Sequence, residues 1–268
     1  PGPMPTDPWS ILAVLPRRSW ISRGAAGTGK SEQILAANVD KVWIVHGLDL
    51  EFNARRLERY LAVAWDSGAS PEIILTKSDL AEDLDGQVSQ AGAVSVGVPV
   101  RIVSARDGES VEALRDTLTA GSTVSLLGPS GVGKSTLVNL LSEMTVAETG
   151  EVRSGDRKGR HVTTRRDLYR IPGGALLLDT PGIRELRVWL LDDGLNRAFP
   201  DIEELAQGCR FRDCRHEGEP GCAVQEALEA GALEPERLGS FQKLRAEAAY
   251  ETRKTDPLAR AAAVSEWK

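Results

Sequence analysis

The 268-residue chain lacks the features of several protein classes. No apolar run approaches the roughly 20 residues that a membrane-spanning helix needs, so we expect no membrane partner. The opening residues, PGPMPTDPWS, have no charged region followed by an apolar one, which argues against a secretory signal and for a flexible end. The clustered cysteines favour a cytoplasmic protein. An excess of positive charge is also missing, because the formal net charge is −6. Any nucleic-acid partner must therefore be bound by local basic patches.

Cysteine is scarce and clustered. The three cysteines all lie in the stretch CRFRDCRHEGEPGC, and an odd number at one place argues against a disulfide framework. The stretch offers Cys209, Cys214, His216 and Cys222, a ligand set that suits tetrahedral Zn²⁺ and leaves no open coordination position. We therefore predict a structural zinc ion. The alternative is three scattered thiols beside a surface histidine.

Strand and helix patterns alternate through most of the chain, and 41% hydrophobic residues suffice for a buried core. Predicted strands are Lys41–Val45, Glu72–Thr76, Val100–Ser104, Thr123–Leu127 and Ala175–Asp179, with Tyr169–Ile171 as an antiparallel edge. Predicted helices are Asn53–Trp65, part of Ala81–Ser89, Ser110–Thr119 and Lys134–Ser142. This rhythm predicts an α/β fold with a doubly wound, mostly parallel sheet. From about Leu195 strand patterns stop, and helical, acidic sequence predicts a second domain.

Two stretches match the phosphate-loop pattern G-x-x-x-x-G-K-[ST]: GAAGTGKS at Gly24–Ser31 and GPSGVGKS at Gly128–Ser135. A working loop needs a buried strand before it and a sturdy helix after it, because converging backbone N–H groups bind the anion. The second match has an apolar strand before it and a leucine-rich helix after it. The first follows a polar segment and leaves little room for a helix. We interpret the first match as a flexible connector.

The second match carries the predicted phosphate and magnesium site. Lys134 is expected to reach the terminal phosphates and Ser135 to ligate Mg²⁺. The predicted loop residues are Gly128, Pro129, Ser130, Gly131, Val132, Gly133, Lys134, Ser135 and Thr136. The later stretch LLLDTPG places Asp179 near Mg²⁺ and the Gly182 N–H near the γ-phosphate.

Two further stretches predict recognition of guanine. In LTKSD, Asp79 can accept from the two donors on the guanine edge and Lys77 can lie along the base, whereas adenine lacks that donor pair. Thr76 stands where the usual motif has asparagine, and its hydroxyl can still tether neighbouring backbone. In VSARD, Ser104 and Ala105 follow the next strand, where the Ala105 N–H meets the base oxygen.

The order of these motifs is rotated, because base recognition comes before the phosphate loop. With VLPRRS, AANVD, TKSDL, VSA, GPSGVGKSTLVN, KGRHVTT, LLLDTPG and the cysteine cluster, the chain resembles the circularly permuted, ribosome small-subunit-dependent GTPases of bacteria. The resemblance implies GTP hydrolysis stimulated by the small ribosomal subunit, nucleotide-dependent binding of that subunit and its rRNA, and a role in its late maturation. It also implies an N-terminal OB-fold, of which SILAVLPRRSWISR supplies only about the last strand.

These observations predict three segments in a chain that we expect to be a monomer. Residues 1–35 form an N-terminal tail, a residual OB-fold strand and a linker. Residues 36–194 form the permuted GTPase domain, and 195–268 a helical zinc-binding domain.

The water-orienting group differs from that of many GTPases, which place a glutamine just after the D-x-x-G turn. Ile183 stands there, so we predict that His161, in GRHVTT, takes part in hydrolysis, as the resemblance also implies. The alternative is a solvated loop histidine. Thr163 or Thr164 ligates Mg²⁺ when GTP is bound, and we favour Thr164.

Three other functions remain open from the residues alone. The first is a nucleotide-gated binding module with incidental turnover, which Ile183 allows. The second is an ATP-using enzyme, which Asp79 disfavours. The third is a zinc nucleic-acid module, which the net acidity disfavours.

Overall fold

A computed structural model of the chain describes residues 12–24, 32–143, 167–179 and 192–255. The strands in these ranges are β1 Trp20–Gly24, β2 Glu32–Ala37, β3 Lys41–Gly47, β4 Ser70–Thr76, β5 Val100–Val103, β6 Thr123–Leu127, β7 Asp167–Arg170 and β8 Leu176–Asp179. The helices are α1 Ala54–Asp66, α2 Leu84–Val94, α3 Gly108–Arg115, α4 Lys134–Ser142, α5 Asp192–Ala198, α6 Pro200–Ala206, α7 Ala223–Glu229 and α8 Pro235–Thr255. None of these helices has the length and apolar character to cross a membrane.

Six strands form the central sheet, in the order β5-β4-β3-β6-β8-β7. All neighbouring pairs are parallel except β7 with β8, so the predicted parallel sheet with an antiparallel edge is confirmed. β3 and β4 are buried on both faces, which explains why each appears in the sequence as a continuous apolar run. The carboxyl ends of β3, β4, β6 and β8 meet along one edge of the sheet.

Alternate side chains of β3 enter two apolar cores on opposite faces of the sheet. Val42 and Ile44 pack with α1 and with Phe199 and Phe241 of the C-terminal region. Trp43 and its neighbours on the other face pack with α3 and α4. The C-terminal helices thus share a core with the α1 face of the sheet. The predicted segments are 1–35, 36–194 and 195–268. The first boundary falls inside β2 and the second inside α5, so neighbouring segments share an element.

An antiparallel pair, β1 with β2, precedes the central sheet. The sequence predicted a connector up to residue 35, and it did not predict β2. The first G-x-x-x-x-G-K-[ST] match spans the end of β1 and residues 25–31, which lie outside the described residues. Its next element is a strand rather than the helix that a phosphate loop requires.

A buried charge cluster joins the C-terminal helices to α1. The Arg237 guanidinium of α8 donates to Glu58 Oε1 of α1 at 2.7 Å and to both carboxylate oxygens of Asp201, at 2.7 and 3.0 Å. It also lies over the Phe199 ring, 4.2 Å from its centroid. Glu58 is 2% exposed and takes a further hydrogen bond from the Ser240 hydroxyl. Its charge therefore depends on Arg237 for compensation.

Replacing Arg237 by methionine is expected to lower the free energy of unfolding by about 3–5 kcal/mol, because Glu58 is left as a buried, unpaired charge. Arg59→Met is the matched control, since Arg59 pairs with Glu247 at the same 2.7 Å but both side chains are about a third exposed. That pair is worth about 0–1 kcal/mol. Denaturant-induced unfolding measures the free energy of unfolding of both variants. Equal losses in the two variants would contradict the structural role assigned to Arg237.

Candidate nucleotide site and metal centre

The second phosphate-loop match adopts the expected strand, loop and helix arrangement. Buried β6 leads into the loop, and α4 begins at Lys134. Gly128 has φ of 151°, and a Cβ there would lie 2.4 Å from the Val45 carbonyl oxygen. Gly133 has φ of 96° at the helix N-cap. Only glycine fits these two positions without strain, so the loop can wind tightly at the amino end of α4, where anions bind.

The Lys134 side chain lies within this loop. Its ammonium group donates to the carbonyl oxygens of Gly128 and Pro129 at 2.8 and 2.6 Å. Ser135 and Thr136 are half-buried in the first turn of α4, and Ser130 is exposed at the tip of the loop. Lys134 and Ser135 thus begin the helix whose amino end faces the loop. The loop and the first turn of α4 thus bring together the Lys134 ammonium group, the Ser135 hydroxyl and backbone N–H donors.

Asp179 lies beside the phosphate loop at the end of β8. Its partner in the parallel register is Leu126 of β6, two residues before Gly128. Burial raises the pKa of the Asp179 carboxyl, the positive charge of Lys134 opposes this rise, and the opposite carboxylate, Asp167 of β7, adds to it. A cation at this edge of the sheet would relieve the repulsion between the two carboxylates.

A cavity between β4, β5 and α4 brings together motifs that lie far apart in the sequence. Its lining includes Thr76, Lys77, Asp79, Ala105, Gly133 and Thr136. Leu80, Val103 and Leu137 give it apolar walls. Apolar lining residues together with a carboxylate suit a planar base with hydrogen-bond donors on its edge.

The Asp79 carboxylate is held in place from β5 and the loop after it. The Ser104 hydroxyl donates to Asp79 Oδ1 at 2.8 Å, and Arg106 Nε lies 3.4 Å from Oδ2. Ser104 Oγ in turn accepts from the Arg106 backbone N–H at 3.1 Å. Ser104 therefore orients the predicted base-recognition carboxylate, in addition to preceding Ala105 in the cavity wall.

Thr76 connects base recognition to the phosphate loop. Its hydroxyl lies 2.5 Å from the Val132 carbonyl oxygen, to which it donates, and 3.2 Å from the His46 carbonyl oxygen. Thr76 is 4% exposed. Thr76, which stands where the usual motif has asparagine, thus tethers neighbouring backbone as predicted from the sequence.

Two residues of this site went unnoticed in the sequence. Arg106 lines the cavity, although its side chain is 79% exposed. Asp49, in the loop between β3 and α1, forms an ion pair with Lys77. Neither belongs to a nucleotide-binding pattern. Only their positions just after the sheet's carboxyl ends, where ligands bind in such folds, could have drawn attention to them.

Four predicted residues of the γ-phosphate and magnesium region lie outside the described residues. They are His161, Thr163, Thr164 and Gly182.

The cysteine cluster forms a compact ligand set. The three thiols and the His216 ring offer ligand atoms that all lie within 4.8 Å of one another. His216 Nδ1 is 3.4 Å from Cys222 Sγ and 3.7 Å from Cys209 Sγ, and these two sulfurs are 3.9 Å apart. Tetrahedral zinc bonds of about 2.3 Å to sulfur and 2.0 Å to nitrogen place such ligands about 3.5–3.8 Å from one another. The donor set therefore fits a tetrahedral cation.

Electrostatics at the cluster also favour a cation. Burial raises the pKa of Cys214 to about 12; the hydrogen bond with the His216 backbone opposes this rise and the neighbouring thiols add to it. A bound cation would instead deprotonate the thiol. Burial and then the charge of Arg245 lower the pKa of His216, which keeps the ring in the neutral form that ligates metals. The His216 carbonyl accepts from Gln225 and Gln242, which fixes the backbone of the cluster.

Comparisons with known proteins show the family of this chain. A sequence model of the family described as RsgA GTPase matches residues 14–189. The chain belongs to the RsgA GTPase family. The small ribosomal subunit biogenesis GTPase RsgA of Opitutus terrae is 48% identical over 259 residues, which cover 96% of this chain and 71% of that protein. The protein of the same name from Methanosarcina acetivorans is 46% identical over 246 residues, covering 92% of this chain and 67% of the relative.

Solved structures support the permuted fold of this RsgA GTPase family member. YjeQ from Thermotoga maritima superposes with a TM-score of 0.64 at 26% identity, covering 89% of this chain and 78% of that chain. YloQ, described as a circularly permuted GTPase, gives a TM-score of 0.61 at 25% identity, covering 88% and 82%. The predicted circular permutation is confirmed.

Proposed function

We propose that this chain hydrolyses GTP and acts in the maturation of the small ribosomal subunit. The observation that carries the proposal is the single cavity in which the Asp79 motif and the phosphate loop meet. Membership of the RsgA GTPase family supports it, since relatives with up to 48% identity are named small ribosomal subunit biogenesis GTPases. We infer a cytoplasmic monomer that binds rRNA in a nucleotide-dependent way.

Guanine selection follows from hydrogen-bond complementarity. Asp79 accepts from the two N–H donors of guanine, Ala105 donates its N–H to the base oxygen, and Lys77 lies along the ring. Adenine presents no such pair of donors, so an adenine base would not match the carboxylate of Asp79. An ATP-using enzyme is therefore disfavoured.

The phosphates bind where the loop meets α4. Backbone N–H groups of Gly131, Gly133 and their neighbours hold the oxygens, and Lys134 turns from loop carbonyls toward the terminal phosphates. Ser135 and Asp179 would hold Mg²⁺, with Thr164 as a further ligand, and a bound Mg²⁺ would supply neutralisation of negative charge on the phosphates. Because the pKa of Asp179 is raised, proton competition with the cation begins at a higher pH than for an exposed aspartate.

Water activation is assigned to His161, because Ile183 cannot polarise water. The ordinary pKa of a histidine side chain lies close to neutral pH, so such a residue can orient or deprotonate the attacking water. The adjacent residues Arg153, Arg157, Lys158, Arg160, Arg165 and Arg166 form a basic stretch suited to contact with the rRNA backbone. We propose that contact between this stretch and the rRNA stimulates hydrolysis through His161.

The test is the GTP turnover rate of the chain alone, with small ribosomal subunits and, as control, with large subunits. We expect stimulation by small subunits only. His161→Ala is expected to keep wild-type GDP affinity and to lose most of the stimulated rate, since one acid–base group contributes about 10²–10⁴-fold. Turnover that large subunits raise equally would refute the proposed partner. Undiminished stimulated turnover in His161→Ala would remove this residue from the mechanism.

We also propose that Cys209, Cys214, His216 and Cys222 hold one structural Zn²⁺. The ion stabilises the helical region from residue 195 onward, because four ligands from one short stretch cross-link the segment before α7.

Purified protein is expected to contain about one zinc ion per chain by elemental analysis. Cys214→Ser should lose most of this zinc and lower the melting temperature, because metal binding contributes to folding. Asp213→Ser is the matched control, since Asp213 is an exposed neighbour in the same loop and should keep its zinc. Equal zinc content in both variants would contradict the assignment.

A further inference from the structure

The loop between β3 and α1 contacts the base-recognition motif at Thr76 and Lys77, two residues of the cavity lining. Its Leu48 N–H donates to the Thr76 carbonyl oxygen at 2.9 Å, directly before Lys77. On its other side, Gln87 Nε2 of α2 donates to the Leu50 carbonyl oxygen at 3.0 Å. These two anchors lie immediately before and after Asp49. The backbone that carries Asp49 is therefore fixed relative to the base-recognition motif.

Asp49 forms a close ion pair with Lys77. Its Oδ2 lies 2.6 Å from Lys77 Nζ, and the two side chains are 26% and 29% exposed. Lys77 has φ of 59°, a left-handed conformation that is uncommon for residues other than glycine. Both the backbone and the side chain of Lys77 are thus held in one specific arrangement at the wall of the cavity.

Gly47 provides the space for this arrangement. A Cβ at Gly47 would lie 2.6 Å from Asp49 Oδ1 and 3.6 Å from Val132 Cα of the phosphate loop. The Asp49 carboxylate therefore folds back over Gly47, beside the phosphate loop, and from there reaches Lys77. A side chain at position 47 would push the carboxylate away from this place.

We propose that Asp49 is a positioning residue for guanine recognition, which acts by holding Lys77 along the face of the base. This inference rests on the proposed function. Lysine loses considerable rotamer freedom when its stem is ordered against a ligand. The ion pair orders that stem before the nucleotide arrives, so less entropy is lost on binding. It also neutralises the ammonium charge two residues from Asp79, whose carboxylate must stay available to the base.

A double-mutant cycle tests the proposal, with Asp49→Asn, Lys77→Met and the double variant. The affinity for a fluorescent GDP is measured by titration, alongside KM and kcat for GTP. Each single change is expected to weaken GDP binding about tenfold, and the double variant also about tenfold, because Asp49 acts only through Lys77. The loss should appear in KM rather than in kcat, since Lys77 lies along the base and not at the phosphates. Glu51→Gln, an exposed carboxylate in the same loop, should bind like wild type.

Gly47→Ala is a second, independent probe, because it displaces the Asp49 carboxylate without changing any charge. We expect weaker GDP binding in this variant too. Additive losses in the cycle, about a hundredfold in the double variant, would overturn the proposal. Wild-type affinity in Asp49→Asn would overturn it as well. Wild-type protein that fails to bind GDP at all would instead refute the proposed function.

Discussion

The hydrogen bond from Thr76 to the Val132 carbonyl oxygen joins two motifs that lie 56 residues apart. On one side of it, β4 presents the base-recognition residues, and on the other the phosphate loop turns into α4. The ribose links the base of a nucleotide to its phosphates, so the two motifs must be held within the reach of one nucleotide. Thr76 is buried, and a buried carbonyl left without its hydrogen-bond donor is costly, so the bond is costly to lose. The remaining contacts of the site are arranged around this junction.

Circular permutation leaves this junction intact because strand neighbours, rather than chain order, place the motifs. β3 lies between β4 and β6 and pairs in parallel with both, so their carboxyl ends share one edge. The permutation also places β8, with Asp179, directly before the C-terminal helices in the sequence. Those helices are fastened to α1 through Arg237 and Glu58. The C-terminal region that carries the cysteine cluster therefore follows β8 in the sequence and also packs against α1 on one face of the sheet.

Much of the fold could be predicted because it follows from local patterns. β4 and β6 are buried runs of apolar residues. The glycines before α4 and the lysine at its first position form a pattern that loops need to bind phosphate. The three cysteines and His216 lie within one short stretch, so their spacing alone indicated the cluster. In each case the residues that act together are close in sequence or belong to a repeating strand pattern.

The unpredicted features depend on pairings between distant residues. β2 could not be recognised in the sequence because it begins with the polar residues Glu32 and Gln33, directly after the first phosphate-loop match. In the structure it pairs with β1. The ion pairs of Arg237 with Glu58 and of Asp49 with Lys77 join residues 179 and 28 positions apart, and no spacing rule connects them. Such contacts follow from the assembled sheet and its packed helices. They could be found only once the fold was known.

The central claim is that one of two matching patterns binds phosphate, and that its partner motifs lie before it in the chain. GDP affinity in two single variants, Lys30→Ala and Lys134→Ala, tests this most directly, because the same substitution is made at the same position of each pattern. The account predicts wild-type affinity for Lys30→Ala and loss of detectable binding for Lys134→Ala. Loss of binding in Lys30→Ala with retention in Lys134→Ala would contradict it.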